Sequence, residues 1–575
     1  MMRYFIPEWD DRVDPDFDFI RDKHSKSHNE DALRNDVYMW EIFGIKDVPF
    51  DGVLVSIAAI QENKSKYAKI LNEGIHRYLR LPRNFEIMAD CGAFSYIDET
   101  TPPYSTSDIL KLYSDLEFNY GVSIDHLVVP MYRDQNEERI RITYNNGLTA
   151  FEEWSKKYKN DFQLIVAVQG ETISDYLKMY NDFIKHGITH IAFGGLVRSP
   201  TKFILELLDA LIEEIKNAKK RPEYLHFFGL ARCDLFSRFQ QLENFGVHVA
   251  FDSASYLRKA WLSSPSAQLN YITPDWRGYS AIRIPEKMKG EKKNIVQQSV
   301  LDTVGQECLR ALRDYDQELI DIDGVLEPLT RLNTIIQEKP QVLEYYHRLL
   351  KDRPWKTCPC PICQVHGIEV IIFRGNNRNR RRGFHNTWAF YQMLQNPSLW
   401  LNCARKRQPD SAFQYIESLD SLHRGNNVLV ITSCTKKKLN PAGKVIAPAK
   451  EMYQGMLFRR VREYAENMGF DYVIISAKYG LLFPDDMIER YDQVLRSQVD
   501  IQNLQPAVED RLREIIDQYD RVVVIAGINY RRVLENIWNE KFVFLKARGI
   551  GELCSIVARS TPARDHSLDE YISLS

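Results

Sequence analysis

The sequence predicts an α/β protein: a TIM-like (β/α)8 barrel with an inserted structural zinc knuckle, followed by a C-terminal Rossmann-like α/β sandwich domain. Three observations predict it. Short apolar runs alternate with amphipathic stretches through the first half of the chain, in the number and over the length that close a parallel barrel. A tight cysteine cluster follows, and beyond it a fresh alternation opens with the buried-strand run VLVITSC. An open doubly wound sheet is the competing arrangement for the first half.

The strand-like runs are Arg3 to Ile6, Val53 to Ile57, Phe85 to Ala89, His126 to Pro130, Leu164 to Val168, His190 to Gly194, Leu225 to Gly229 and Val247 to Phe251. Each is rich in β-branched or aromatic residues and bounded by turn formers. Between them, Ser107 to Phe118, Glu138 to Tyr158, Ile173 to His186, Thr201 to Ala218 and Asp234 to Phe245 repeat apolar residues at three- and four-residue spacing, the signature of a helix with one buried face. A helical stretch from Ser299 to Leu350 leads to the cysteine cluster and a helix through Trp388 to Leu394. The expected partition is 1–403 for the barrel with its helical segment and zinc subdomain (about 351–394), 404–426 for a linker, and 427–575 for the C-terminal domain.

Composition narrows the function classes. Forty-four per cent hydrophobic and 27% charged residues describe a folded globular chain and argue against disorder. The opening MMRYFIPEWDD lacks an apolar secretion core, no apolar run reaches membrane-spanning length, and the nine cysteines are an odd number, so a reducing cytoplasm is the expected compartment. A net charge of −2 provides no global attraction to nucleic acid, so such a partner has to be held by a local patch. One candidate patch is Arg374, Arg378, Arg380, Arg381 and Arg382; the alternative for such a run is an ordinary solvated loop.

Cys358, Cys360 and Cys363 lie within six residues, stiffened by Pro359 and Pro361, and His385 follows. Three thiolates and an imidazole complete a tetrahedral zinc site. His366 is the rival fourth ligand, with His385 expected near a helix start. Two carboxylates end apolar runs: Asp90 after FEIMA and Asp252 after VHVAF. Barrel enzymes place their chemistry at that end of the strands, where one carboxylate can act as nucleophile and another as proton donor and acceptor in glycosidic chemistry. Gln169 with Gly170, and the Gly194-Gly195-Leu196 turn, close two further runs with groups suited to a purine edge.

In that order, DCGAFSY, VAVQG, AFGGL, FGL, VAFDS and C-x-C-x2-C…H resemble the queuine tRNA-ribosyltransferase (tRNA-guanine transglycosylase) superfamily. The opening RYFIPEWDDRVDP, the phrase VVPMYRDQNEERI and the appended domain resemble its DpdA-like branch, associated with 7-deazaguanine insertion into DNA. The resemblance implies a zinc-containing barrel that exchanges guanine for a deazaguanine, 7-cyano-7-deazaguanine being the expected base, in a DNA modification role of restriction-modification, anti-phage or anti-restriction type. It implies Asp252 as nucleophile, Asp90 as general acid/base, and Gln169, Gly170, Gly194, Gly195, Leu196 and Phe94 in the base pocket. Cys358, Cys360, Cys363 and His385 are the implied metal ligands. Asp134 is the nearest counterpart of a second recognition aspartate, with Asp125 an alternative. SASYLRKAW replaces the usual Pro-Thr-Arg after the nucleophile, which gives Arg258 and Lys259 a phosphate-facing role. Exchange on tRNA and a catalytically silent nucleic-acid-binding module are the alternative functions, and helper proteins for strand opening are a compatible partner class. In the C-terminal domain, Ser433, Cys434, Thr435 and Lys436 form an anion-binding-like turn near Lys478, Tyr479, Asp485, Asp486 and Gly527, in a segment similar to the YaaA family of DNA-associated proteins.

Overall fold

The computed structural model describes residues 2–288, 297–401, 414–416, 419, 422, 427–439, 446–495, 498–534, 537, 541–545, 547 and 549–561. The chain divides into two compact units, Met1–Cys403 and Ala404–Ser575.

In the first unit eight parallel strands close on themselves: β1 (Arg3–Pro7), β2 (Gly52–Ser56), β3 (Ile87–Asp90), β4 (Tyr120–Val122), β5 (Gln163–Val168), β6 (His190–Phe193), β7 (Tyr224–Phe227) and β8 (His248–Asp252). The ring is sealed where β1 lies beside β8, with Phe5 opposite Asp252. Inward-facing Phe5, Leu54, Met88, Val122, Ile165, Ala192 and Ala250 fill the bore, so it is a packed core. The helices cover the outside as their periodicity requires. In Ile173–Lys185, for example, Tyr176, Met179, Tyr180 and Phe183 are buried, and a capping box between Thr172 and Asp175 starts the helix.

The fourth strand lies earlier in the chain than the apolar run His126 to Pro130 suggests. His126, Leu127 and Val128 of that run are buried but unladdered, and side chains meet part of its backbone polarity: Thr143 accepts from the His126 N–H at 2.9 Å, and Arg139 donates to the Leu127 carbonyl at 2.9 Å. Tyr-Gly-Val forms the strand instead because Gly121 lets Tyr113 and Phe162 press on the backbone; a Cβ there would meet Tyr113 at 2.3 Å. This early turn leaves Asp125 beyond the strand, at the carboxyl rim of the barrel.

The five clustered arginines are not a displayed basic patch. Arg374 opens, and the others occupy, the helix Gly375–Leu394, with Arg378, Arg381 and Arg382 buried. Arg374 pairs with Asp22 at 2.6 Å, Arg378 with Asp22 and Glu369, and Arg380 with Asp11. Arg381 donates to the Asp14 carbonyl and to His366, and Arg382 to the carbonyls of Ala260, Val370 and Ile372. A guanidinium's five donors satisfy several buried acceptors at once, so these side chains stitch neighbouring segments together and leave little to offer phosphate.

The second unit holds a six-stranded sheet in the order β9 (Gln414–Ile416), β14 (Phe542–Leu545), β13 (Arg521–Val524), β10 (Val428–Ser433), β11 (Asp471–Ser476), β12 (Gly480–Leu482). All neighbours are parallel except β11 and β12. Part of the expected linker, 414–416, is thus an edge strand; most of the remainder of 404–426 lies outside the described residues. Helix Met456–Met468 buries Leu457, Phe458, Val461, Tyr464 and Ala465 on one side.

Arg378→Ala should lower stability by ~1–3 kcal/mol, because Asp22 and Glu369 each lose one charged hydrogen-bond partner while keeping Arg374 and Arg313 respectively. Chemical denaturation measures this, and the salt dependence of DNA binding, read separately, should keep its slope.

Candidate active site and metal centre

A cavity of about 600 Å³ opens at the carboxyl ends of the barrel strands, lined by Asp90, Asp125 and Asp252 together with Gly194, Gly195, Phe94, Phe228 and Trp9. The volume suits a base-sized ligand with part of its sugar. Strand register brings the acidic groups together: Asp90 ends β3 beside Ser56 of β2, and Asp252 ends β8 beside Phe5 of β1.

Asp252 is held on one oxygen. Its Oδ1 accepts from the Gly229 N–H at 3.1 Å and from Nε2 of the buried His226 at 3.0 Å. Oδ2 has no hydrogen bond among the described residues, which leaves a lone pair for chemistry. Asp90 sits differently. Burial, then the neighbouring charges of Asp125 and Asp252, push its carboxyl up to about 7. It is therefore close to half protonated at neutral pH and able to give or take a proton.

Asp125 forms the third corner. Its Oδ2 accepts from Gln169 Nε2 at 2.6 Å and its Oδ1 from the Cys91 thiol at 3.2 Å. Oxygens of Asp90 and Asp125 and the Cys91 sulfur all lie within 4.8 Å of one another. Gly194 and Gly195 make room for the glutamine: a Cβ on either would stand 2.3 or 2.5 Å from the Gln169 amide. Gly195 also adopts φ +75°, which side chains resist.

Of the residues singled out in the sequence, Asp90, Asp252, Gly194, Gly195, Phe94, Arg258 and Lys259 border the cavity. Gln169 and Leu196 are buried behind its wall, and Gly170 packs against Tyr176. Asp134 is exposed on the 3-10 turn Pro130–Gln135 and is not among the residues lining the cavity, whereas Asp125, the alternative, lines it. Arg258 stacks 4.1 Å over Trp9 and Lys259 lies 4.6 Å over Tyr256, both on the helix Ser255–Leu262 at the cavity edge. His226 escaped the sequence reading. Its signal was a lone polar residue in the apolar strand run LHFF, two strand positions short of the glycine turn.

The cysteines converge as expected, with His385 as the fourth donor. Sγ of Cys358, Cys360 and Cys363 lie 3.6, 3.3 and 3.4 Å from His385 Nδ1, and all four residues are buried. Ideal zinc–sulfur and zinc–nitrogen bonds in a tetrahedron give a sulfur–nitrogen edge of about 3.6 Å, so the donor set could hold a metal ion. His385 Nε2 donates to the Ile272 carbonyl at 2.8 Å, which fixes the tautomer and leaves Nδ1 with its lone pair. His385 lies in the middle of its helix, where sequence placed it near a start. His366 is engaged by Arg381 at 3.0 Å, and burial with that guanidinium pulls it down to about 4.

A (β/α)8 barrel with paired rim carboxylates and a Cys3His cluster is the arrangement that the resemblance to the tRNA-guanine transglycosylase superfamily implies. The chain is 33% identical over 419 residues to a DNA-guanine transglycosylase of Salmonella montevideo, an alignment covering 68% of this chain and 97% of that protein. It belongs to that DNA-guanine transglycosylase family. Residues 428–558 match DUF6884, a family of unknown function. Among the described residues no helix is long and apolar enough to cross a membrane.

The raised Asp90 pKa has a stability consequence. Between the unfolded value of about 3.9 and the folded value of about 7, the native state binds the extra proton, so stability falls as pH rises through that window. Asp90→Asn should remove this penalty. The variant should unfold at higher temperature than the parent at pH 8, with the difference fading towards pH 4 in thermal melts taken across that range.

Proposed function

We propose that this chain exchanges guanine in DNA for a 7-deazaguanine through a covalent Asp252–sugar ester. The observation that carries the reading is the presence on one cavity rim of a carboxylate held from one side, Asp252, and a carboxyl that burial and its neighbours push up to about 7, Asp90. C1′ is shielded inside a duplex, so the target nucleotide swings out of the stack, at a cost of a few kcal/mol. Phe94 at the mouth is exposed and offers an aromatic face to the extruded base or its neighbour. Arg258 and Lys259 flank the same opening and contact the backbone phosphates.

Asp252 Oδ2 attacks C1′ as the glycosidic bond breaks, through an oxocarbenium-like state. Asp90 gives its proton to the departing guanine, and the sugar remains esterified to Asp252. The incoming base then loses a proton to Asp90, its nitrogen attacks C1′ from the opposite face, and Asp252 leaves as carboxylate. Two inversions restore the original configuration. His226 and the Gly229 N–H steady Asp252 when it leaves, because both donate to the oxygen that does not bond the sugar. Asp125, steadied from behind by Gln169, forms the polar wall that reads the base, with 7-cyano-7-deazaguanine as the base we assign. DNA carrying it is chemically distinguishable from unmodified DNA, which suits a role in restriction-modification.

Cys358, Cys360, Cys363 and His385 would hold zinc in a structural role, since four protein donors leave no coordination position for substrate. The metal would supply a cross-link between the knuckle and the helix Gly375–Leu394.

Asp252→Ala should cut exchange of labelled guanine into plasmid DNA by about a thousandfold or more, while bound zinc stays at about one per chain by elemental analysis. Bulk tRNA offered in parallel should incorporate no label. Retained exchange in the variant, or exchange on tRNA alone, would reject the proposal. His385→Ala should lose the metal and unfold at lower temperature in melts of the purified chain.

A further inference from the structure

A polar cluster in the second unit takes no part in the barrel chemistry. It lies at the carboxyl ends of the parallel strands. From β10 the chain continues to β11 on one flank, whereas β13 lies on the other flank and continues outward to β14. The connections leaving β10 and β13 therefore diverge, which makes this a topological switch point, the kind of position at whose crevice open parallel sheets receive ligands.

Side chains from both flanks meet there. Cys434, directly after β10, places Sγ 3.1 Å from the hydroxyl of Tyr530, which sits on the helix Ile528–Arg532 after β13. Ser476 ends β11 and lies 2.7 Å from the Tyr491 hydroxyl, itself 2.8 Å from that of Tyr453. Lys438 completes the cluster. Its ammonium stands 4.2 Å over the Tyr491 ring, and the residue is only 8% exposed. Among the described residues it makes no ion pair and its ammonium no hydrogen bond; burial pulls its pKa down.

A polar cluster serving only to hold a sheet together matches its own charges, because an unpaired buried cation is costly. This one holds the Lys438 ammonium with no contact ion pair among the described residues, Asp492 and Arg490 acting on it only through space, in a cluster that also carries tyrosine hydroxyls and a thiol. We propose that the crevice binds the phosphate group of a nucleotide, free or carried in a strand, with Lys438 as counter-charge and Tyr491, Tyr530 and Cys434 as hydrogen-bond donors. Ring faces of Tyr453 and Tyr491 beside the ammonium give the rest of such a ligand a flat surface on which to rest.

Calorimetry on the full chain tests this with three probes: inorganic phosphate, dGMP, and a short 5′-phosphorylated oligodeoxynucleotide. Lys438→Met should weaken binding of dGMP or of the oligonucleotide by at least about tenfold. Tyr491→Phe removes one hydroxyl while keeping the ring, and should weaken the same ligand by a smaller factor. Tighter binding of dGMP identifies a free nucleotide as the ligand, and tighter binding of the oligonucleotide identifies a strand. Affinity unchanged in both variants, binding of inorganic phosphate alone, or no binding of any probe overturns the proposal. Because the readout depends on Lys438 and Tyr491, its failure leaves the barrel chemistry untouched, and loss of base exchange leaves this site untouched.

Discussion

Three carboxyl groups share one poorly hydrated hollow at the mouth of the barrel, and the repulsion between them governs how the site is built. Not all three can be ionised there at acceptable cost. The fold resolves the conflict by giving each a different environment. Asp252 receives a backbone N–H and an imidazole donor, Asp125 an amide and a thiol, and Asp90 the proton. Division of labour between nucleophile and proton carrier follows from this unequal supply of donors.

That supply depends on neighbouring residues that carry no reactive group of their own. Gln169 reaches Asp125 only because Gly194 and Gly195 leave the space its amide fills. Gly92, at φ +87°, turns the chain directly after Asp90 where a Cβ would meet Ala58 at 2.5 Å. Glycines after these strands serve side-chain placement as much as ligand approach.

Much of this was legible in the sequence. Eight alternations gave the barrel, and every expected barrel strand except the fourth overlaps an observed one, because buried parallel strands read as short continuous apolar runs. The fourth failed for a stated reason: HLVVP is as apolar as a strand, but its polar backbone groups are met by Arg139 and Thr143. The rim aspartates and the four metal donors were readable because strand ends and cysteine spacing are local features. The arginines were misread because sequence shows charge but not whether Asp22, Glu369 and a set of carbonyls stand ready to receive it. His226, Asp125 and the tyrosine cluster around Cys434 depend on contacts between distant segments, which no local pattern encodes.

Arg382 carries a consequence of its own. Its guanidinium grips the Ala260 carbonyl, in the short helix that carries Arg258 and Lys259, and it sits three residues before His385 on the same helical rod. The helix that supplies the fourth donor of the cysteine cluster and the helix that edges the cavity are thereby clamped to one another by a single buried side chain.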